Sequence, residues 1–201
     1  MNRLVAVLLL LSCFWQACQS DVVFTPKPRT FPKIDFPNKA YQPFQEGYCQ
    51  FSFQYPTYAT IERDTAFFEE LPINPCWFDI VIPNFDARVH CSYFPIENKP
   101  ATFEKLRDDA FRMVNTHNIK ASYIDEYKIE KSSAVTGFVF NIEGPAASPF
   151  QFYLTDSTNH FLRGALYFNT QARPDSLAPI FEFLKLDIMN MINTFEWESS
   201  K

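Results

Sequence analysis

The order of strand-like and helix-like segments constrains the fold of this chain most strongly. Seven runs, several of them alternating apolar with polar residues, have the pattern of strands in a packed sheet. Two longer segments repeat apolar residues near every 3.6 positions, as an amphipathic helix does. The predicted strands cover residues 49–56 with an extension to 61, 77–82, 87–94, 123–129, 134–143, 150–155 and 161–169, and the predicted helices cover 102–118 and 175–197. Because consecutive strands are too close in sequence for crossover helices, we predict an α+β domain with a mainly antiparallel sheet and packed helices.

The helix boundaries follow from capping residues. Thr102 is the predicted N-cap of the first helix, and Asp175 with Ser176 caps the second, which places Pro179 in its first turn. The apolar stripe of the second helix should close the core. Phe183 and Leu186 lie off that stripe, so this side of the helix is either covered or a docking face.

The first 17 residues have the layout of a secretory signal. A short positive start precedes an apolar stretch of about 12 residues, which is too short to span a bilayer, and Ala17-Cys18 follows. We therefore predict a signal peptide at 1–17 and lipidation of Cys18 by acyl chains such as palmitate. Cys13 is the alternative lipid acceptor, and an ordinary cleaved signal or a short uncleaved anchor remains open.

The anchor predicts a location in the cell envelope, facing the periplasm. Gln19 is not the aspartate that marks inner-membrane retention in enterobacteria, so the outer membrane is preferred to the inner one. Prolines recur through residues 18–47, which predicts an extended tether. Residues 48–201 are then expected to form a single domain.

Three cysteines follow the tether, and an exported protein can oxidise two of them. Cys49 and Cys76 stand at the starts of the first two predicted strands, so we predict a disulfide between them. The alternative is that all three cysteines are reduced. Cys91 alternates with Val89 and Tyr93, which indicates a buried, inert thiol.

The three histidines lack metal-ligand spacing, so neither a metal nor another cofactor is expected. A net charge of −5 without a basic block argues against nucleic acid as a partner.

A polar turn between two apolar strands is the natural place to look for a site. It contains Asp156, Ser157, His160 and Arg163, and Ser148 lies just upstream. A hydrolase needs a serine that is hydrogen-bonded to a histidine, and a carboxylate that orients the histidine. Residues within one tight turn cannot easily adopt that arrangement. No G-x-S-x-G motif is present. A hairpin whose Asp and Ser bond their own backbone is the preferred interpretation.

Several sequence blocks resemble one protein family over nearly the whole mature chain. They are Thr25–Arg29, Ile34–Pro37, Cys49 with Phe51–Pro56, Cys76-Trp77, Gly144–Ser157, His160–Asn169 and Asp175–Pro179 with the closing helix. With these blocks the chain resembles the gliding-motility lipoprotein GldD of the Bacteroidetes. Cys91 falls where the family pattern has an apolar residue, which favours leaving it unpaired.

The resemblance implies an envelope lipoprotein that is needed for gliding and linked to the type IX secretion machinery, with no enzymatic activity. The order of strands and helices is also similar to the PsbP-like sandwich, by analogy of layout only.

Three functions remain open. The first is a non-catalytic assembly factor that is anchored through Cys18 and docks on other envelope proteins of the gliding and secretion apparatus. Its predicted contact residues are Asp156, His160 and Arg163 in the hairpin, with Phe183 and Leu186 on the last helix. The second is a small envelope hydrolase that uses Ser148 or Ser157 with His160. The third is an envelope protein that binds an apolar ligand, which the 23 phenylalanines suggest.

Overall fold

Ten strands and two α-helices make up the part of the chain that this computed structural model describes, residues 33–63, 74–131, 134–170 and 173–198. Short 3₁₀ turns lie at Pro83–Phe85 and Thr116–Ile119. The strands are β1 (Tyr41–Phe44), β2 (Phe51–Pro56), β3 (Thr60–Arg63), β4 (Phe78–Ile82), β5 (Ala87–Pro95), β6 (Tyr123–Lys131), β7 (Val135–Glu143), β8 (Phe150–Thr155), β9 (His160–Phe168) and β10 (Glu196–Trp197). The helices are α1 (Pro100–Asn115) and α2 (Pro174–Thr194).

The strands form two sheets. The larger has seven strands in the order β3-β4-β5-β9-β8-β7-β6, and the smaller has the order β1-β2-β10. Every strand pair in the described residues is antiparallel. This confirms the predicted α+β class with mainly antiparallel pairing.

The two helices lie on opposite faces of the large sheet. Phe181 of α2 approaches Phe150 of β8, with ring centroids 6.4 Å apart. Ala110 and Val114 of α1 belong to a separate buried cluster with Phe140 of β7. Because neighbouring residues of a strand point to opposite faces, these contacts define an α2 face and an α1 face for every strand of the sheet.

Phenylalanine packing joins the small sheet to the large one. Phe44 stacks on Phe53 with centroids 4.5 Å apart and on Phe78 of β4 at 4.9 Å. Phe51 lies 5.5 Å from Phe195, which follows α2. Such ring pairs add about 0.5–1.5 kcal/mol each beyond the burial of their area. These phenylalanines therefore bind the two sheets and α2 into one core, while others, such as Phe111, Phe140 and Phe161, pack in the cluster under α1.

Gly164 shows why this packing needs a glycine in β9. It stands opposite Phe152 in the pairing of β8 with β9. A Cβ at Gly164 would come within 2.2 Å of the Phe152 ring, which is itself only 1% exposed. Any larger residue at 164 would displace that ring from the core.

A disulfide links the segments that precede β2 and β4. It joins Cys49 and Cys76, whose Cα atoms are 5.6 Å apart, across 27 residues of sequence. Cys91 is a free thiol in the centre of β5 and is 0% exposed. Burial raises its pKa well above the ordinary value, so the thiolate form is disfavoured.

The helix boundaries differ from the predicted ones. Helix α1 begins at Pro100 and not after Thr102, and Lys99 occupies the N-cap position without a side-chain hydrogen bond. Proline suits the first helical position because the missing N–H would have no intrahelical partner there. Helix α2 begins at Pro174, so Pro179 lies inside the helix and not in its first turn.

The ends of the chain also add strands that the sequence did not indicate. Helix α2 ends at Thr194, and β10 follows at the residues that were predicted to continue the helix. Strand β1 forms within residues 18–47, the predicted tether. The predicted signal peptide, Cys18 and Cys13 lie outside the described residues, so those predictions and the domain boundaries stay predictions. No helix in the described ranges is long and apolar enough to cross a bilayer.

Candidate functional site

The hairpin between β8 and β9 is shaped by one carboxylate. Asp156 Oδ1 accepts hydrogen bonds from the backbone N–H groups of Thr158, Asn159 and His160 at 3.0, 2.7 and 2.8 Å. Burial raises the pKa of Asp156, but these donors outweigh it and hold the pKa below its ordinary value. Asp156 therefore holds the turn in shape.

His160 lies on the α2 face between two aromatic residues. Its Nδ1 is 2.7 Å from the hydroxyl of Tyr93, and its ring stacks on Trp197 with centroids 4.9 Å apart and planes 19° apart. Burial lowers the pKa of His160, and Asp156 opposes that shift. The neutral imidazole is therefore favoured, and it helps to fix β10 against the large sheet.

Arg163 lies on the opposite face of the same strand. It is an odd number of residues from His160, so the two side chains point to different sides of the sheet. Its Nη2 donates to Gln151 Oε1 at 3.3 Å, and burial lowers its pKa. The structure therefore separates two residues that the sequence placed in one predicted contact cluster.

Neither candidate serine is hydrogen-bonded to His160. Ser148 is 0% exposed and its hydroxyl donates to the carbonyl of Phe150 at 3.5 Å. Ser157 has a left-handed backbone with φ of 64°, and its N–H donates to Thr155 Oγ1 at 2.9 Å. Ser148, Ser157 and His160 thus do not assemble the serine, histidine and carboxylate geometry of a hydrolase.

A buried carboxylate on α2 gathers three donors from the N-terminal part of the domain. Asp187 is 4% exposed and accepts from Lys39 Nζ at 2.6 Å, from the Tyr41 hydroxyl at 2.9 Å and from the Tyr58 hydroxyl. Burial, followed by the hydrogen bond to Asp187, raises the pKa of Tyr41 to about 12 and that of Tyr58 further. We call Asp187, Lys39, Tyr41 and Tyr58 the Asp187 clamp. It fastens β1 and the residues around it to α2.

The two predicted docking residues on α2 have different environments. Phe183 is half-buried under the Asp187 clamp and its neighbours: Lys39 Nζ lies 3.7 Å from its ring centroid, and the Phe36 ring lies 4.7 Å away. Leu186 is 60% exposed. Of the two, only Leu186 presents its side chain to solvent, because Phe183 is largely occupied within the domain.

Sequence reasoning missed Asp187, although a signal for it was present. Leu184 and Ile188 bracket it on the buried side of α2, where an acid is costly unless it is paired. A single aspartate within an apolar helical stripe therefore predicts donors from another element. The sequence could not show that these donors would come from residues 39–58.

A cavity of about 490 Å³ lies between the first half of α2 and the large sheet. Its walls come from the end of β7, the loop that leads to β8, the end of β9 and the first turns of α2. The residues that line it include Asn141, Ile142, Ala146, Phe168, Leu177, Ala178 and Phe181. No set of three or more His, Cys, Asp or Glu side chains in the described ranges is placed to hold a metal ion.

The fold and these contacts define a class of protein: a disulfide-bonded α+β domain whose hairpin polar groups are engaged in internal hydrogen bonds. The chain belongs to the family of the gliding motility lipoprotein GldD, since the family model matches residues 21–197. Membership in that family makes it a lipid-anchored protein of the cell envelope with a role in gliding motility.

No match is found among curated proteins. Among solved structures, the fold has a distant likeness to the solution structure of cyanobacterial PsbP (CyanoP) from Synechocystis sp. PCC 6803. That match has 8% sequence identity and a TM-score of 0.42, and it covers 80% of this chain and 94% of the other.

Proposed function

We propose that this protein is a non-catalytic component of the gliding and type IX secretion apparatus that acts by contact with other envelope proteins. Lipidation at Cys18 would hold it to the membrane, preferably the outer one, with the domain facing the periplasm. The observation that carries the proposal is the exposure of Leu186, 60% on the outer side of α2. Family membership supplies the motility role.

The hairpin supports the same proposal in a different way. The carboxylate of Asp156 is used by the turn, and His160 is held by Tyr93 and Trp197. These residues therefore act by giving the turn a fixed shape. The exposed side chains at its tip, Thr158 and Asn159, would then be the ones that meet a partner.

The contact face is tested by Leu186→Glu in the full-length protein, expressed in the native organism. The substitution adds a charge at an exposed position, so we expect an unchanged melting temperature and normal membrane association. We expect gliding and the secretion of a type IX substrate to be lost. Ile119, which is 90% exposed and lies outside α2, offers the matched control Ile119→Glu. Normal gliding with a stably expressed Leu186→Glu protein would overturn the proposal for this face.

The anchor and the absence of catalysis are tested separately. Cys18→Ser should move the protein from the membrane to the soluble fraction, and retention on the membrane would contradict lipidation at that residue. A fluorophosphonate probe should not label the wild-type protein at Ser148 or Ser157. Labelling that disappears when either serine becomes alanine would support the hydrolase alternative instead.

A further inference from the structure

Among the edge strands of the described residues, β6 is the one that is both long and regular. The large sheet ends at β6 and β3, and the small sheet ends at β1 and β10. Strand β3 has four residues, β10 has two, and β1 has four and includes Pro43, so these edges resist pairing with another chain. Strand β6 has nine residues, contains no proline or glycine, and pairs with β7 along its whole length without a bulge. Its open side therefore offers an unbroken row of backbone groups to a further strand.

The backbone groups that β6 leaves unpaired follow from the next strand pair. The N–H of Ile142 in β7 donates to the carbonyl of Pro149, which directly precedes β8. Alternate residues of a strand bond to opposite neighbours, so even-numbered residues of β7 bond to β8 and odd-numbered ones to β6. The odd-numbered residues of β7 stand opposite odd-numbered residues of β6, as Val139 does opposite Tyr127. The N–H and C=O groups that point outward therefore belong to Ile124, Glu126, Lys128 and Glu130.

A second copy of β6 would satisfy these groups in an antiparallel register about a two-fold axis at Tyr127. Two-fold symmetry is the commonest arrangement of a homodimer. Residues equally far from Tyr127 would face each other, so every residue of β6 would be paired. The even-numbered residues would form hydrogen-bonded pairs, and Tyr127 would face Tyr127 of the second copy in a non-hydrogen-bonded pair.

The charges of β6 select this register. Charged residues usually protect an edge strand from other chains, but here Glu126 of each copy would face Lys128 of the other, which gives two opposite-charge pairs by symmetry. Moving the axis by one residue would place Glu126 or Lys128 opposite itself, and like charges in that position are destabilising. Moving it further shortens the paired length.

The side chains of β6 are available for this pairing. Lys128 forms a salt bridge with Glu130 of the same strand, but both side chains are more than 60% exposed, and such a pair contributes little. Tyr127 is 54% exposed. The two Tyr127 rings would meet in the closer kind of cross-strand pair, where aromatic contacts stabilise a sheet.

We propose that two copies of this protein pair through β6 in an antiparallel two-fold dimer centred on Tyr127, which joins their large sheets into one. The proposal does not depend on the contact function proposed above. Leu186 lies on α2, and Thr158 and Asn159 lie in the hairpin between β8 and β9, so none of them belongs to β6.

Cysteine cross-linking in the envelope of the native organism tests the register. Facing residues of a non-hydrogen-bonded pair have Cα atoms about 4.5 Å apart, which suits a disulfide. The full-length Tyr127→Cys protein should therefore form a disulfide-linked dimer under mild oxidation. Tyr123→Cys is the matched control, because Tyr123 lies on the same face and is 59% exposed. In the proposed dimer the two copies of residue 123 are about 26 Å apart along the strands, so this variant should not cross-link.

Three results of this experiment would contradict the proposal. They are the absence of a cross-linked dimer with Tyr127→Cys, equal dimer yields for Tyr127→Cys and Tyr123→Cys, and a Tyr127→Cys cross-link to a different protein alone. The last result would show that another chain occupies the edge of β6.

Charge reversal tests the same pairing without a new cysteine. Sedimentation equilibrium of the full-length protein in detergent measures the Kd of the dimer, and the wild-type protein should be dimeric. Glu126→Lys turns both opposite-charge pairs into like-charge pairs, so the Kd should rise about tenfold or more. Adding Lys128→Glu to that variant restores opposite charges and should restore the wild-type Kd.

Glu104→Lys provides the control for net charge, because Glu104 is exposed on α1, and it should leave the Kd unchanged. All these substitutions are at exposed positions, so the melting temperatures should stay the same. A monomeric wild-type protein would refute the dimer. A doubly reversed protein that is as weakly associated as Glu126→Lys would refute the facing of Glu126 and Lys128.

Discussion

The two halves of α2 carry the same apolar stripe but pack very differently. In the second half, Leu184, Ile188 and Met191 are at most 4% exposed. In the first half, Leu177 and Phe181 are only half-buried and border a cavity of about 490 Å³. The comparison teaches that an apolar helical stripe fixes which side faces the sheet, while the neighbouring elements decide whether the space beneath it is filled.

The difference follows from what each half meets. The second half lies beside the small sheet and the rings of Phe51 and Phe53, and the Asp187 clamp holds it there. The first half meets the ends of β7 and β9 and the loop before β8, where alanines leave room. Stability should therefore be concentrated in the second half of α2.

The largest loss of stability is expected from Asp187→Ala. It leaves the hydroxyls of Tyr41 and Tyr58 without their acceptor, and Lys39 keeps only the carbonyl of Phe183, so we expect a loss of about 3–5 kcal/mol because each unsatisfied donor costs about 1–3 kcal/mol. Chemical denaturation measures the free energy of unfolding, and hydrogen exchange should show lost protection in β1. Tyr41→Phe, which removes one of the donors, should cost only about 1 kcal/mol. Equal losses for both variants would mean that the clamp does not act as a unit.

The disulfide should have the next largest effect. Replacing Cys49 and Cys76 together by serine should lower the free energy of unfolding by about 3–4 kcal/mol, from the entropy of a loop of 27 residues. Because the bond holds the segment before β2, protection should fall in the small sheet and in the second half of α2 more than around the cavity. Mass spectrometry of the unreduced protein checks the pairing, and free thiols at both Cys49 and Cys76 in the folded protein would refute it.

A pair of equivalent substitutions tests the comparison directly. Leu184→Ala removes a side chain that is 1% exposed and should cost about 3 kcal/mol, as core leucine truncations do. Leu177→Ala, beside the existing cavity, should cost about 1 kcal/mol because its side chain is already partly solvated. Denaturant unfolding of both proteins gives the difference. Equal costs would show that the first half is packed as tightly as the second.

The smallest effect is expected from pH. Burial lowers the pKa of His160, so its contribution to stability is complete above the unfolded value near 6.5 and is lost as the pH falls below it. The lowered pKa of Asp156 acts in the same direction below about pH 4. The melting temperature should therefore fall between pH 7 and 5, and His160→Gln should reduce that fall.

His117 contributes to the same window, because burial lowers its pKa as well. The double variant His117→Gln, His160→Gln should consequently show a flatter profile than either single variant. A profile that is unchanged in the double variant would assign the loss to other groups.

The sequence was sufficient for β4 to β9 of the large sheet and for the general positions of both helices. Strand β3 was predicted as an extension of the first strand to residue 61, but it pairs with β4 in the large sheet, whereas β2 belongs to the small sheet. Alternation in β5 and β9 and the 3.6-residue spacing in α2 are strong signals because each element buries one side. Strand β10 was missed because its two residues follow α2 without a break in the apolar pattern, and β1 because Pro43 stands within it. Both depend on pairing with β2, which only the folded chain supplies.

The candidate site was less accessible to sequence reasoning. Side chains alternate between the two faces of a strand, so residues three positions apart, such as His160 and Arg163, point to opposite faces. Their assignment to one contact cluster could therefore have been rejected from the sequence. The burial of Phe183 could not have been predicted from the sequence, because the residues that cover it, Phe36 and Lys39, lie about 150 positions away. The cavity has no local sequence signal beyond Asn141, a polar residue on an apolar strand face.

The central position of Cys91 has a consequence for oxidative folding. In the unfolded domain Cys49, Cys76 and Cys91 compete, and two of the three possible pairings among them would be wrong. Once β4 and β9 have closed around β5, a reagent can no longer reach Cys91, and the correct bond is the only one left to form. Errors in pairing must therefore arise early, and slowing the assembly of the large sheet, rather than weakening the bond itself, should increase the yield of scrambled protein.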